Sequence, residues 1–135
     1  MIVVDTNLIA YLLINGEYSE TAERVLGKDS DWVAPYLWRS EFRSVLVKCL
    51  RDRRLELNDS FRIMAEAEAL MSECEYAVSS PDVISLAASS ACSPYDAEFV
   101  VLARELSVPL ITPDRRLLEK FSKTAVAPDH FCPGV

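Results

Sequence analysis

Met1-Ile2-Val3-Val4-Asp5-Thr6-Asn7 is the stretch whose reading decides the fold. Ile2, Val3 and Val4 form an unbroken apolar, β-branched run, which predicts a short strand buried on both faces. The run ends on a carboxylate, and Leu8, Ile9, Leu12 and Leu13 then recur at helical spacing up to Asn15-Gly16. A charge at the carboxyl end of a buried strand is costly unless something compensates it. In open α/β sheets that end is also where ligands bind. Asp5 therefore either caps the helix that follows or belongs to a site.

The next elements repeat the theme. A helix is predicted from Ser19, read as its cap, to Gly27, with Ala22, Val25 and Leu26 as its buried stripe, and Trp32-Val33-Ala34 reads as a second strand. Pro35 suits a helix start, and Trp38, Phe42, Val45, Leu46, Cys49 and Leu50 share one face of a helix from Tyr36 to about Arg53. A helix capped by Asn58 or Asp59 runs from Phe61 to about Ser72, and Glu75–Val78 is a third strand. Ser80-Pro81-Asp82 and Ser93-Pro94-Tyr95-Asp96 open two further helices. Pro109–Thr112 is a fourth strand, a short basic helix follows Pro113-Asp114, and 124–127 can form a fifth. Residues 128–135 read as an irregular tail on a single domain spanning 1–135. Short apolar strands alternating with helices predict an α/β fold, a three-layer α/β/α sandwich with a mostly parallel sheet of four to five strands.

Composition narrows the chemistry. The four cysteines, Cys49, Cys74, Cys92 and Cys132, form no C-x-x-C pair, and His130 is the single histidine. A disulfide framework, a zinc site and a histidine triad are all disfavoured. No apolar run approaches a membrane span and no basic segment precedes the first strand, so a cytoplasmic location is expected.

What stands out is acidic. Asp5 ends the first strand and Asp114 follows the fourth, so a parallel sheet brings both to one edge. Asp96 opens a helix, and Glu41 borders the apolar stripe of another. Four carboxylates gathered there raise one another's pKa and call for a counter-charge. Oxygen-only ligands select a hard cation such as Mg²⁺ or Mn²⁺, the ions of phosphoryl chemistry.

Asp5-Thr6-Asn7 after an N-terminal strand, Glu41 in a helix, Ser93-x-Tyr95-Asp96-Ala97 and Thr112-x-Asp114 together resemble the PIN-domain nucleases. In size and single-domain layout, the chain resembles the VapC toxins of toxin–antitoxin pairs. The resemblance runs from residue 1 to about residue 127. It implies a metal-dependent endoribonuclease in which Asp5, Glu41, Asp96 and Asp114 hold one or two Mg²⁺ or Mn²⁺ ions. Thr6, Asn7, Ser93 and Thr112 would orient those ligands or bound water. Hydrolysis would leave a 5′-phosphate and a 3′-hydroxyl. It further implies an RNA substrate, a cognate antitoxin and a homodimer. The alternative is a non-catalytic PIN-like binding or scaffold module. A haloacid-dehalogenase-like phosphohydrolase would need a second Asp where Asn7 stands, and a receiver domain would need paired acids near its start.

Net charge is −7, which disfavours nucleic acid as a partner unless the charges segregate. They do: ten of the fourteen Lys and Arg lie in 39–54 and 115–123. Arg39, Arg43, Arg115 and Arg116 are the expected RNA-phosphate contacts.

Overall fold

The computed structural model describes residues 1–134; Val135, the end of the expected tail, lies outside the described residues. Strand β1 (Ile2–Val4) is fully buried, as its apolar run requires. Each such side chain contributes on the order of 1.5–3 kcal/mol on burial, enough together to offset a partly buried carboxylate at the strand's end. Helix α1 (Thr6–Leu13) follows, and then α2 (Ser19–Lys28) and β2 (Trp32–Pro35). Next come α3 (Trp38–Arg51), α4 (Leu57–Leu70) and β3 (Glu75–Tyr76). The chain continues through α5 (Ser80–Ser90), α6 (Pro94–Leu106), β4 (Leu110–Ile111), α7 (Arg115–Lys120), β5 (Ala125–Val126) and α8 (Pro128–Phe131).

The sheet has five strands, all parallel, in the order β3-β2-β1-β4-β5. Winding runs outward from β1 in one direction through β2 and β3, and in the other through β4 and β5. Right-handed crossovers that reverse direction put their helices on opposite faces of the sheet. Accordingly α1 packs on β1 and gathers α2, α3 and α4, while α6 packs on β1, β2 and β4 and carries α5. The expected α/β sandwich is what forms. The reversal lies between β1 and β4, where Val3 pairs with Leu110 and Val4 with Ile111. One step further, the Asp5 amide donates to the Ile111 carbonyl at 3.0 Å. Asp5 and Thr112 therefore leave the sheet side by side.

Several local expectations give way. Pro35 ends β2 rather than starting a helix. It lies past the paired positions of β1 and β2 (Ile2 with Trp32, Val3 with Val33), where a missing N–H breaks no pairing. The Ala34 and Tyr36 amides hold that end of the strand by donating to the Cys74 and Tyr76 carbonyls. Gly27 does not stop α2, which runs on to Lys28, and Ser19 does not cap it. The Ser19 hydroxyl instead accepts from the Gly16 amide at 3.0 Å and donates to the Ile14 carbonyl, closing the preceding turn. Helix α4 starts at Leu57, earlier than expected, because Asp59 reaches back to accept from the Glu56 amide at 3.1 Å. The tail expected to be irregular begins with the short helix α8, whose Pro128 is buried. No helix among the described residues is long and apolar enough to cross a membrane.

Candidate functional site

Asp5 plays both of the parts its sequence context allows. As the N-cap of α1 it accepts from the Asn7 amide through Oδ1 at 3.1 Å. Its other oxygen, Oδ2, accepts from the Thr112 hydroxyl at 2.6 Å. Thr112 is fully buried, and its Oγ1 also accepts from the Asp114 amide at 3.1 Å. One hydroxyl thus fixes the end of β1 against the loop that leads into α7. Asp114 caps α7, its Oδ1 accepting from the amides of Arg116 (2.8 Å) and Leu117 (3.3 Å).

On the helix side, the buried Thr6 hydroxyl donates to Glu41 Oε1 at 2.8 Å. Glu41 lies in the first turn of α3, below the Trp38 and Phe42 stripe that anchors that helix in the core. Asp96 lies in the first turn of α6, and its amide donates to the Ser93 hydroxyl at 3.0 Å. Ser93 therefore caps the helix that carries Asp96.

All four acids meet. Asp5, Glu41, Asp96 and Asp114 line one cleft of about 250 Å³ together with Thr6, Asn7, Ser44 and Val45. Four elements supply the four carboxylates, at the edge where the sheet reverses its winding. Among the described residues, no Lys or Arg lines the cleft. Burial pushes the Asp5 carboxyl above its usual range; the bonds from Thr112 and Asn7 oppose that, and the charges of Asp96 and Asp114 add to it. Burial raises Glu41 as well, against the Thr6 bond and with the charges of Asp5, Asp96 and Glu98. The four acids leave an excess of negative charge that the largely exposed Arg116, 3.8 Å from Asp114, offsets only in part.

Among the described residues, no group of three or more His, Cys, Asp or Glu side chains stands close enough together to hold a metal ion. Unscreened carboxylates repel, and Asp5 and Glu41 are held by hydroxyl and amide donors. The donor chemistry nevertheless fits a hard divalent cation: oxygens only, anionic, in an open cleft without a competing base.

The structure separates the four expected RNA contacts. Arg39, expected to contact RNA phosphate, is engaged by carboxylates of the protein itself. Its Nε and Nη2 donate to Glu75 at 2.6 and 2.8 Å and its Nη1 to Glu68 at 2.6 Å, which clamps α3 to β3 and α4. Its partner Glu75, 9 % exposed, also accepts from Trp38 Nε1. A guanidinium with these three donors committed is a structural cross-link. Arg43 and Arg115 are exposed and form no ion pair among the described residues, and Arg116 stands 3.8 Å from Asp114 while remaining 82 % exposed. Two polar residues near the site escaped the reading of the sequence. Ser44 follows Glu41 by three positions, so helical spacing could have placed it in the cleft. Glu98, whose own carboxyl is raised by burial, acts on Glu41. It lies only two positions past Asp96, a spacing that carries no helical signal.

Comparison with known proteins bears on the fold and the family. A model of the PIN domain matches residues 2–125. The chain is 31 % identical over 129 residues to ribonuclease VapC3 of Pyrobaculum aerophilum, covering 89 % of this chain and 94 % of that protein. The crystal structure of PAE2754 from Pyrobaculum aerophilum superposes with a TM-score of 0.75 at 19 % identity, over 95 % of this chain and 90 % of that one. The structure of FitAB bound to the IR36 DNA fragment gives a TM-score of 0.72, also at 19 % identity, with 96 % of each chain covered. At that identity the two structures bear on the fold, and the sequence match bears on the family. The chain belongs to the PIN-domain family.

Proposed function

We propose that this chain is a single-domain endoribonuclease that hydrolyses RNA phosphodiester bonds with the help of Mg²⁺ or Mn²⁺, one or two ions per site. The observation that carries the reading is the convergence of Asp5, Glu41, Asp96 and Asp114 on one cleft with no basic side chain in its lining among the described residues. Similarity to a protein named as a ribonuclease, over nearly the whole of both chains, supports RNA as the substrate class.

Asp5, Glu41, Asp96 and Asp114 would hold the cation. When bound, it would offset their charge, stabilise the negative charge that builds on the phosphate oxygens, and acidify the attacking water. Thr112 and Thr6 hold Asp5 and Glu41 in fixed orientations through the bonds at 2.6 and 2.8 Å. Positioning of this kind lowers the reorganisation needed when substrate arrives. Ser93 does the same for the first turn of α6 and hence for Asp96. Asn7, exposed at the rim, is placed to meet the phosphate or its water. Arg43, Arg115 and Arg116 would bring RNA to an otherwise acidic surface.

The further parts of the proposal follow the resemblance to VapC toxins. The chain would act in the cytoplasm as the toxin of a toxin–antitoxin pair, as a homodimer, held inactive by a cognate antitoxin. Exposed Tyr36, Leu57, Phe61, Ile84 and Tyr95 supply apolar surface for such contacts.

The test is cleavage of a mixed-sequence single-stranded RNA by the purified chain in EDTA, then with Mg²⁺ or Mn²⁺ restored. Cleavage only after the metal returns supports the reading. Equal cleavage in EDTA, or none in any metal, overturns it.

A further inference from the structure

The acidic cleft continues beyond its acids. Asn7 and Val45, which line it, also line a neighbouring cavity of about 320 Å³ that contains Tyr11, Tyr18 and Arg54. That volume falls in the range of ligand-binding pockets. Arg54 then extends into a third cavity, where Arg62 stands. Glu17 also lines the second cavity, so the groove passes from the clustered carboxylates to two aromatic rings with a single carboxylate beside them, and then to guanidinium groups. Its walls are regular. Asn7 and Tyr11 are four apart on α1, and Glu41, Val45 and Cys49 are four apart on α3, so each helix turns one face to the groove.

The middle of the groove carries the chemistry of a base platform. The rings of Tyr11 and Tyr18 lie 4.8 Å apart between centroids at 37°. Tyr11 is partly buried, whereas Tyr18 keeps 49 % of its surface exposed. One ring is thus braced by the other and leaves a face open. Beyond them, Arg54 is exposed and forms no ion pair among the described residues, whereas Arg62 is engaged by Asp59 and Glu66 of its own helix. A peptide would be served by apolar walls alone. A nucleic-acid strand needs a phosphate site at each end and an aromatic face between them, the combination found in single-strand grooves.

We propose that this groove seats single-stranded RNA beside the cleavage site. A base flanking the scissile phosphate stacks on Tyr18, braced by Tyr11, and Arg54 binds the phosphate beyond it. The assignment rests on the ribonuclease reading and adds to it the direction in which the strand leaves the acids. Stacking on a ring is tolerant of base identity, so Tyr18 would set the grip on the strand more than its sequence.

The test uses the full chain carrying Asp96→Asn, which should slow cleavage while its site lies outside the lining of the groove's aromatic cavity. Affinity is measured for a short single-stranded RNA and for a series in which an abasic sugar replaces one base at a time. With Tyr18 present, one abasic position should weaken binding roughly tenfold. With Tyr18→Leu, the intact RNA should weaken by about the same factor, and the abasic change should cost nothing more. Tyr18→Trp should restore both the affinity and the abasic penalty, which a merely structural role would not do. Arg54→Gln should lower the salt slope of binding by about 0.7. A series with no sensitive position, or Tyr18→Leu binding intact RNA as tightly as before, overturns the proposal and leaves the groove to a protein segment. Equal weakening of intact and abasic RNA by Tyr18→Leu also overturns it. The two readings fail separately: a wild-type chain that cuts no RNA sinks the nuclease, whereas one that cuts RNA with KM unmoved by Tyr18→Leu sinks only the groove.

Discussion

Thr112 Oγ1 donates to Asp5 Oδ2 at 2.6 Å across 107 residues of sequence, joining the two strands between which the sheet reverses. The same oxygen accepts from the Asp114 amide, so a single hydroxyl orders two of the four acids of the cleft. Thr112 is fully buried. Thr112→Val keeps the volume and removes the donor. It should lower RNA cleavage by about 10- to 100-fold, the usual cost of losing a group that orients a ligand, while Thr112→Ser should keep most of the rate. Comparing kcat for the two variants checks this.

Proton uptake gives a second prediction, for the metal-free protein. Asp5 and Glu41 are both raised above their ordinary values, chiefly by burial. The folded chain therefore binds more protons than the unfolded one across that interval. Their ionised forms weaken the fold at neutral pH, and the penalty should vanish as pH falls through the raised values toward the ordinary carboxylate range. Asp5→Asn should accordingly stabilise the metal-free chain near pH 7, with a Tm advantage that shrinks on acidification. Thermal melts of both proteins from pH 7 to pH 4 measure it, and a metal-free variant less stable than wild type at pH 7 would give Asp5 a mainly capping role.

Opposite linkage applies at the Arg39 clamp. The bonds from Arg39 hold Glu75 below the usual range, so its contribution is complete above the ordinary glutamate value and is lost as pH falls through the lowered one. Arg39 is 31 % exposed and Glu75 9 %. Arg39→Ala is expected to cost about 1–3 kcal/mol, below the figure for a fully buried pair. The loss should appear in denaturant melts at pH 7, with the RNA affinity of the folded protein unchanged.

Charge segregation makes the next case. With net charge −7, RNA is held only if exposed cations near the cleft reach phosphate. Arg43→Ala and Arg115→Ala should each lower the salt slope of RNA binding by about 0.7. Affinity in a catalytically inactive chain, measured over a salt series, reads the slope, and the metal requirement should not move.

How much of this was legible in the sequence depends on which interaction fixed each feature. Buried runs such as Ile2–Val4 and Trp32–Ala34 have few conformations open to them, so the sheet could be read directly. The convergence of the four acids was legible because a parallel sheet brings the ends of β1 and β4, and with them Asp5 and Asp114, to one edge. Helix ends were not, because the chain stops several helices without glycine: Ala91 and Ser107 take the left-handed conformation at φ 53° and 54°, while Gly27 lies inside α2. The Arg39 clamp was hidden for another reason. Its partners Glu68 and Glu75 are 29 and 36 residues away, and local charge counting sees only a basic window. Glu98 and the groove between α1 and α3 likewise exist only once the helices have packed.

The central claim is that Asp5, Glu41, Asp96 and Asp114 act together through a divalent cation to cut RNA. Cleavage of one single-stranded RNA by wild type and by Asp5→Asn, Glu41→Gln, Asp96→Asn and Asp114→Asn, at saturating Mn²⁺, tests it most directly. Circular dichroism on each variant confirms the fold. Folded variants whose kcat falls by roughly 10²–10³-fold or more are the expected result. Any one of Asp5→Asn, Asp96→Asn or Asp114→Asn that stays folded and cleaves at close to the wild-type rate would contradict it.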